Sequence, residues 1–269
     1  MTASAADPAF ALSLGLAGSV PAEVVRQAAR AAEQAGLHAL WLNDTPAGDA
    51  LAGLAVAAEV TTTLRLATGV IPLDRRPADE IASSIAQLDL PLDRLVLGVG
   101  SGAARRPLGL VAEGVAELQA RLAVPIVLGA LGPAMRRLGA EQADGLLLSW
   151  LTPATASAAR DEAVADAAAA GRAAQRVVLY ARAITEPGAL GALEQESARY
   201  ASYPNYAANF ARIGHGALDA TIRGVDDAAL ASGIEAYAGA VDELVLRAIT
   251  VDDSAAAIRR FVDAVGRIR

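Results

Sequence analysis

The chain has 269 residues, with 30 acidic residues against 23 basic ones, all arginine, for a formal net charge of −7. That balance argues against nucleic acid or an anionic membrane surface as the main partner. The absence of cysteine excludes a disulfide framework, a thiolate nucleophile and a cysteine-ligated iron–sulfur site.

The opening MTASAADPA lacks a basic stretch followed by an apolar core, and the apolar run PIVLGALGPAM is short and broken by Gly and Pro. A cytoplasmic protein with no membrane segment is expected. FALSLGLAG reads as a first strand, followed by a helix in PAEVVRQAARAAEQAG, where Pro21 suits the first turn and Gly36 the far cap. ALWLND at 39–44 is the second strand, and LRLATGVIPL at 64–73 the third. The helix after it carries Asp79 and Glu80 in its first turn, where they complement the dipole, with Ile81, Ile85 and Leu88 on one face.

The fourth strand runs into three glycines, RLVLGVGSG at 94–102. Taken alone this suggests a dinucleotide cradle. The spacing opposes it, because Ala103 stands where the third glycine of the fingerprint belongs and no acidic strand end follows about 20 residues later. The alternation then continues through PIVLGALG, GLLLSWLTP, VVLYARAIT and, after a mainly helical connection at 187–239, DELVLRAIT and a closing helix. Eight uniformly apolar strands, each followed by a helix, predict an α/β fold with a parallel sheet, and the repeat number favours a closed (β/α)8 TIM barrel over an open sheet. No composition shift divides the chain, so residues 1–269 are expected to form a single domain. In such a barrel the chemistry sits at the C-terminal strand ends, here 15–18, 43–45, 68–73, 100–104, 129–133, 149–153, 182–186 and 247–250.

In order and spacing, TLRLATGVIPLDRRPADEIA, LPLDRLVLGVGSG, VPIVLGALGPAMRRLGAEQADGLLLSWLTP and VDELVLR resemble the bacterial-luciferase-like superfamily of flavin- and deazaflavin-dependent oxidoreductases, in its short form. The resemblance implies a barrel holding the deazaflavin coenzyme F420, or alternatively FMN, in its mouth. It implies that Gly69 and Val70 form a bulge, often a non-proline cis peptide, backing the cofactor ring. It also implies that Gly129, Ala130, Leu131 and Gly132 offer backbone N–H groups to the cofactor phosphate, with Pro133 opening the helix behind. Ser101 and Gly102 correspond to a loop beside the cofactor, and Asn43 and Asp44 to the polar end of strand two. Family members often carry an acid followed by His there. Here Thr45 stands in the His position and can only donate a hydrogen bond, so either Asp44 carries the proton or the reaction needs no such group.

Other features have plainer readings beside the functional ones. His38 and His215 are isolated, and without an H-x-H or H-E-x-x-H pattern they argue against a metal site. Glycines at the strand ends serve tight turns as readily as a cofactor. Arg75, Arg76, Arg105, Arg106, Arg182 and Arg247 could hold an anion, but each is expected to pair with a nearby acid such as Asp74, Asp79 or Glu186. Tyr206, Phe210 and Ile213 would share one face of a helix opened by Pro204, packing on the barrel or on a second subunit of a homodimer, with a substrate-pocket wall as the sharper reading. Trp150 fits either core or pocket. The activity expected is hydride transfer between F420 and a small-molecule substrate. An FMN-dependent monooxygenase and a non-catalytic flavin-binding barrel are the alternatives.

Overall fold

The computed structural model describes residues 10–269, so the expectation that no leader opens the chain falls on residues 1–9, outside the described part. The first half alternates as β1 (Ala11–Ala17), α1 (Ala22–Gln34), β2 (Ala39–Asn43), α2 (Ala50–Ala58), β3 (Arg65–Thr68), β4 (Ile71–Pro72), α3 (Ala78–Gln87), β5 (Leu95–Gly100) and α4 (Pro107–Arg121). The second continues with β6 (Ile126–Gly129), α5 (Pro133–Gln142), β7 (Gly145–Ser149), α6 (Pro153–Ala169) and β8 (Arg176–Ile184). After these come α7 (Leu190–Ala201), α8 (Pro204–Ile213), β9 (Thr221–Arg223), α9 (Asp227–Glu235), β10 (Glu243–Ala248) and α10 (Ala255–Arg267). Every strand pairing is parallel, and β10 pairs with both β8 and β1, which closes the ring. The (β/α)8 barrel is therefore as the repeat pattern predicts.

Helix boundaries follow local chemistry. Side chains of Asp49, Thr152, Asp226 and Ser254 accept from the first-turn N–H groups of α2, α6, α9 and α10. Gly36 takes the left-handed conformation past α1, at φ 69°. Small residues on the inner face of α1, from Ala28 to Ala32, let it sit close on the barrel.

Two departures from the predicted strands matter. The third strand is interrupted: β3 stops at Thr68, the Gly69–Val70 peptide is cis, and β4 resumes the pairing to β5. Across the gap the Thr68 hydroxyl replaces the ladder, accepting from the Gly98 N–H at 2.9 Å and donating to its carbonyl at 2.8 Å. Position 98 has to be glycine because a Cβ would collide with the Thr68 carbonyl. The other departure is β9, which adds to β8 outside the ring and is too short for periodicity to reveal.

The barrel interior is stacked in layers. At the N-terminal end the buried Glu243 carboxylate accepts from Ser13 Oγ (2.6 Å), Trp41 Nε1 (2.7 Å) and Arg176 Nε (3.3 Å), with His38 Nε2 at 3.9 Å. His38 thus has a structural setting, as expected. Above this lie Trp41, Val96, Val127, Leu147, Val178, Tyr180 and Val245, a mainly apolar layer that forms the floor of the mouth.

Candidate active site

A cavity of ≈ 690 Å³ opens at the C-terminal ends of the strands. Its wall includes all the positions singled out from the sequence: Asn43, Asp44 and Thr45 after β2; Gly69 and Val70 between β3 and β4; Ser101 and Gly102 after β5; and Gly129 to Gly132 after β6. Eight strand ends converge there because each βα loop leaves the ring at the same face.

Gly69, Val70 and Leu147 line the cavity beside Asn43 and Tyr180. Asn43 bridges Gly69 and Tyr180: its Nδ2 donates to the Gly69 carbonyl and its Oδ1 accepts from the Tyr180 hydroxyl at 2.8 Å. Burial pushes the Tyr180 phenol well above its ordinary range, so it stays a neutral donor. The Val70 methyls lie where side chains at 100 and 129 would otherwise go, which gives Gly100 and Gly129 a packing reason to be glycine. Gly102 has another, since it is left-handed at φ 57° and a Cβ there would fall on the Asp74 carboxylate, which accepts from Ala103 N–H at 2.8 Å. The glycines of RLVLGVGSG are thus accounted for by backbone packing, the plainer of the two readings.

Gly132 differs from them. It precedes α5 with no side-chain cap, and nothing lies within 4 Å of where its Cβ would stand. Within the same loop the Ala130 N–H donates to the Leu147 carbonyl at 3.1 Å, so it is not free for a phosphate, contrary to the expectation for residue 130. Leu131 and Gly132 are the loop residues left to present N–H groups to an anion, supported by the helix dipole.

Asp44 is half-buried. Burial raises its pKa, opposed by the N–H of Ala50 on Oδ2 at 3.2 Å and by Arg75 on Oδ1 at 2.8 Å. Next to it the Thr45 hydroxyl is buried and has no hydrogen-bond partner. Arg76 pairs with Asp49 at 3.1 Å and Glu80 at 3.4 Å. The expectation that the arginines are neutralised by acids holds for these two, but the partners are Asp44, Asp49 and Glu80 rather than Asp74 and Asp79.

The far wall comes from α7 and α8. Arg182 is buried, donates to Glu196 at 3.1 Å and Ser149 at 2.6 Å, and lies 4.0 Å over Trp150 and 4.6 Å over Tyr200. Burial works to raise Glu196, but Arg182 and Arg247 prevail and hold it below the usual carboxylate range. Trp150 is fully buried behind this layer, and Phe210 and Ile213 pack toward it, so that face serves the barrel of its own chain. Tyr200 and Tyr206 line the cavity. Burial and the neighbouring Tyr200 raise the Tyr206 phenol. Tyr180, Asn205, Asn209 and Arg212 also face the cavity and escaped the sequence reading. The tyrosine cluster was the available signal for this wall. Among the described residues no group of His, Asp and Glu is placed to hold a metal ion, and no helix is long and apolar enough to cross a membrane.

A closed parallel barrel with a polar, loop-built cavity over an apolar floor at the strand C-termini defines a TIM-barrel enzyme. The chain belongs to the luciferase-like monooxygenase family, whose model matches residues 6–123 and 110–267. It is 30% identical over 190 residues to the 5,10-methylenetetrahydromethanopterin reductase of Methanolobus tindarius. The match takes in 57% of this chain and 58% of that relative, less than two thirds of its length. The fold is shared with an F420-dependent secondary alcohol dehydrogenase solved with an F420–acetone adduct (TM-score 0.75, 16% identity, 96% of this chain and 99% of that one). It is also shared with the FMN-bound oxygenating constituent of 3,6-diketocamphane monooxygenase from Pseudomonas putida (TM-score 0.67, 13% identity, 96% and 97%).

Proposed function

We propose that this chain is an oxidoreductase that moves a hydride between coenzyme F420 and a small organic substrate. The observation that carries the reading is the uncapped start of α5: Gly132 lines the cavity with space where its Cβ would be, in the same cavity as Gly69, Val70 and Leu147. Together they would give a phosphate seat and a ring platform. The 30% identical relative is named as a methylenetetrahydromethanopterin reductase, and the solved tetrahydromethanopterin reductase of Methanopyrus kandleri is named as F420-dependent, which is why F420 is put first.

When bound, the coenzyme would supply a ring carbon that accepts or returns a hydride. Leu131 and Gly132 would hold its phosphate by main-chain N–H groups, and Gly69 and Val70 would back the ring, kept in place by Asn43 and Tyr180. Ser101 and Gly102 would flank it. Asp44 would exchange a proton at Oδ2, the oxygen that accepts from the Ala50 N–H rather than pairing with Arg75, and burial raises its pKa. Thr45 lines the cavity beside Asp44, with a hydroxyl that lacks a protein partner. Ser149 accepts from Arg182 and so keeps its own O–H free to donate, while Tyr200 and Tyr206 exclude water from the outer side.

Use of reduced FMN with oxygen on the same platform is the second reading, supported by the FMN-bound neighbour. Incubating the protein with oxidised F420 and a panel of small alcohols, and with reduced F420 and unsaturated or carbonyl acceptors, tests the first. Substrate-dependent change in the deazaflavin absorbance is the expected result. Oxygen uptake that requires reduced FMN, with no F420 turnover, selects the second.

A further inference from the structure

The helical excursion between β8 and β10 brings polar groups to the cavity that the phosphate loop does not account for. Arg212, Asn209 and Asn205 of α8 share that cavity with Gly132 and Met135 at the start of α5. Arg212 donates to Asn209 Oδ1 and has no carboxylate within ion-pair distance among the described residues. Because arginine only donates, this bond fixes the Asn209 amide with its oxygen toward Arg212. Asn209 is 5% exposed, and its Nδ2 is left buried without an acceptor. Arg212 lines the cavity with Asn209 holding it through Oδ1, and a guanidinium with no acid beside it at a ligand pocket points to an acceptor-rich, anionic ligand. Arg136, buried on α5, lies near enough to Arg212 for their repulsion to lower its pKa, an effect second to burial and to its pairing with Glu162.

We propose that Arg212 and Asn209 form the second jaw of an anion clamp, opposite the α5 start, that grips the phosphoryl group on the cofactor's ribityl chain. This rests on the cofactor reading above. The shared chemistry is a phosphoryl anion, either the phosphomonoester of FMN or the phosphodiester of F420 with the carboxylates beyond it.

The test is a truncation series read by fluorescence. Dissociation constants are measured for F420 and for its tail-free deazaflavin chromophore, and for FMN and riboflavin, with wild type, Arg212→Gln and Asn209→Ala. The exposed Arg212 can be changed without disturbing the core, and circular dichroism checks both variants. Arg212→Gln should weaken the tailed ligand about tenfold while leaving the tail-free chromophore unchanged, as expected for loss of a charge-assisted bond. Asn209→Ala should weaken it about threefold in the same selective way. Whichever pair shows the selective loss identifies the source of the phosphoryl group. Equal weakening of tailed and tail-free ligands, or no change in either, overturns the clamp while leaving the cofactor reading intact. No binding of any of the four ligands to wild type brings down both.

Discussion

Asp44 and Gly132 are the residues on which the site turns, and each gives a testable consequence. Asp44 has its pKa raised by burial, so its ionisation costs folding free energy. The sign follows: below the ordinary carboxylate range both states are protonated and the cost is absent. It builds as the pH rises toward the raised folded value and is fully present above it. Asp44→Asn should therefore match or exceed wild type in Tm at pH 7, with the gap closing on acidification, while turnover falls. A variant that is less stable at pH 7 would show that the Arg75 pair outweighs burial. Gly132→Asp should fold normally, because its Cβ meets open space, and weaken cofactor binding at least tenfold through repulsion of the phosphate. By contrast Gly98→Ala should lower stability by about 1–3 kcal/mol through overpacking against the Thr68 carbonyl, measured by urea unfolding. Positions such as Asn43, Gly69 and Gly132 were legible in the sequence because the barrel rule assigns every strand end to one face. What each glycine is for was not legible, since the Thr68 carbonyl, the Val70 methyls and the Asp74 carboxylate are neighbours only in space.

At the scale of elements, the wall built by α7 and α8 escaped the sequence for the same reason. Arg182 and Glu196 are 14 residues apart on a strand and a helix, and no periodicity links them. Their pair ties α7 to the barrel mouth with both side chains largely buried, at 4% and 13% exposure. Glu196→Gln leaves the Arg182 charge short of its partner and should cost about 3 kcal/mol, as for other broken buried pairs. Since Glu196 titrates below its ordinary value, the stability it contributes is present above the ordinary carboxylate range and lost as the pH falls through its depressed value. Chemical denaturation at several pH values should show wild type and Glu196→Gln converging in acid. A constant difference would indicate that packing, not charge, holds α7. The tyrosine cluster did announce a packed face, and Trp150 beneath it explains why that face belongs to its own chain.

For the whole molecule, closure of β10 on β1 makes the N- and C-terminal segments mutually dependent, which supports reading the chain as one domain. Trp41 lies in the barrel interior against Glu243, whereas Trp150 lies behind the mouth. Tryptophan fluorescence and circular dichroism should therefore report a single coincident urea transition, and two separated transitions would argue for independent units. The barrel itself was readable because eight apolar strands alternate with helices, a pattern few folds satisfy. The central claim is that the mouth of this barrel seats a flavin-like cofactor by its phosphate. Parallel fluorescence titrations of the wild-type protein with oxidised F420 and with FMN test it most directly. Saturable one-to-one binding of at least one, sharply weakened in Gly132→Asp, is the predicted result. Saturation by neither, or equal affinity in the folded variant, would contradict it.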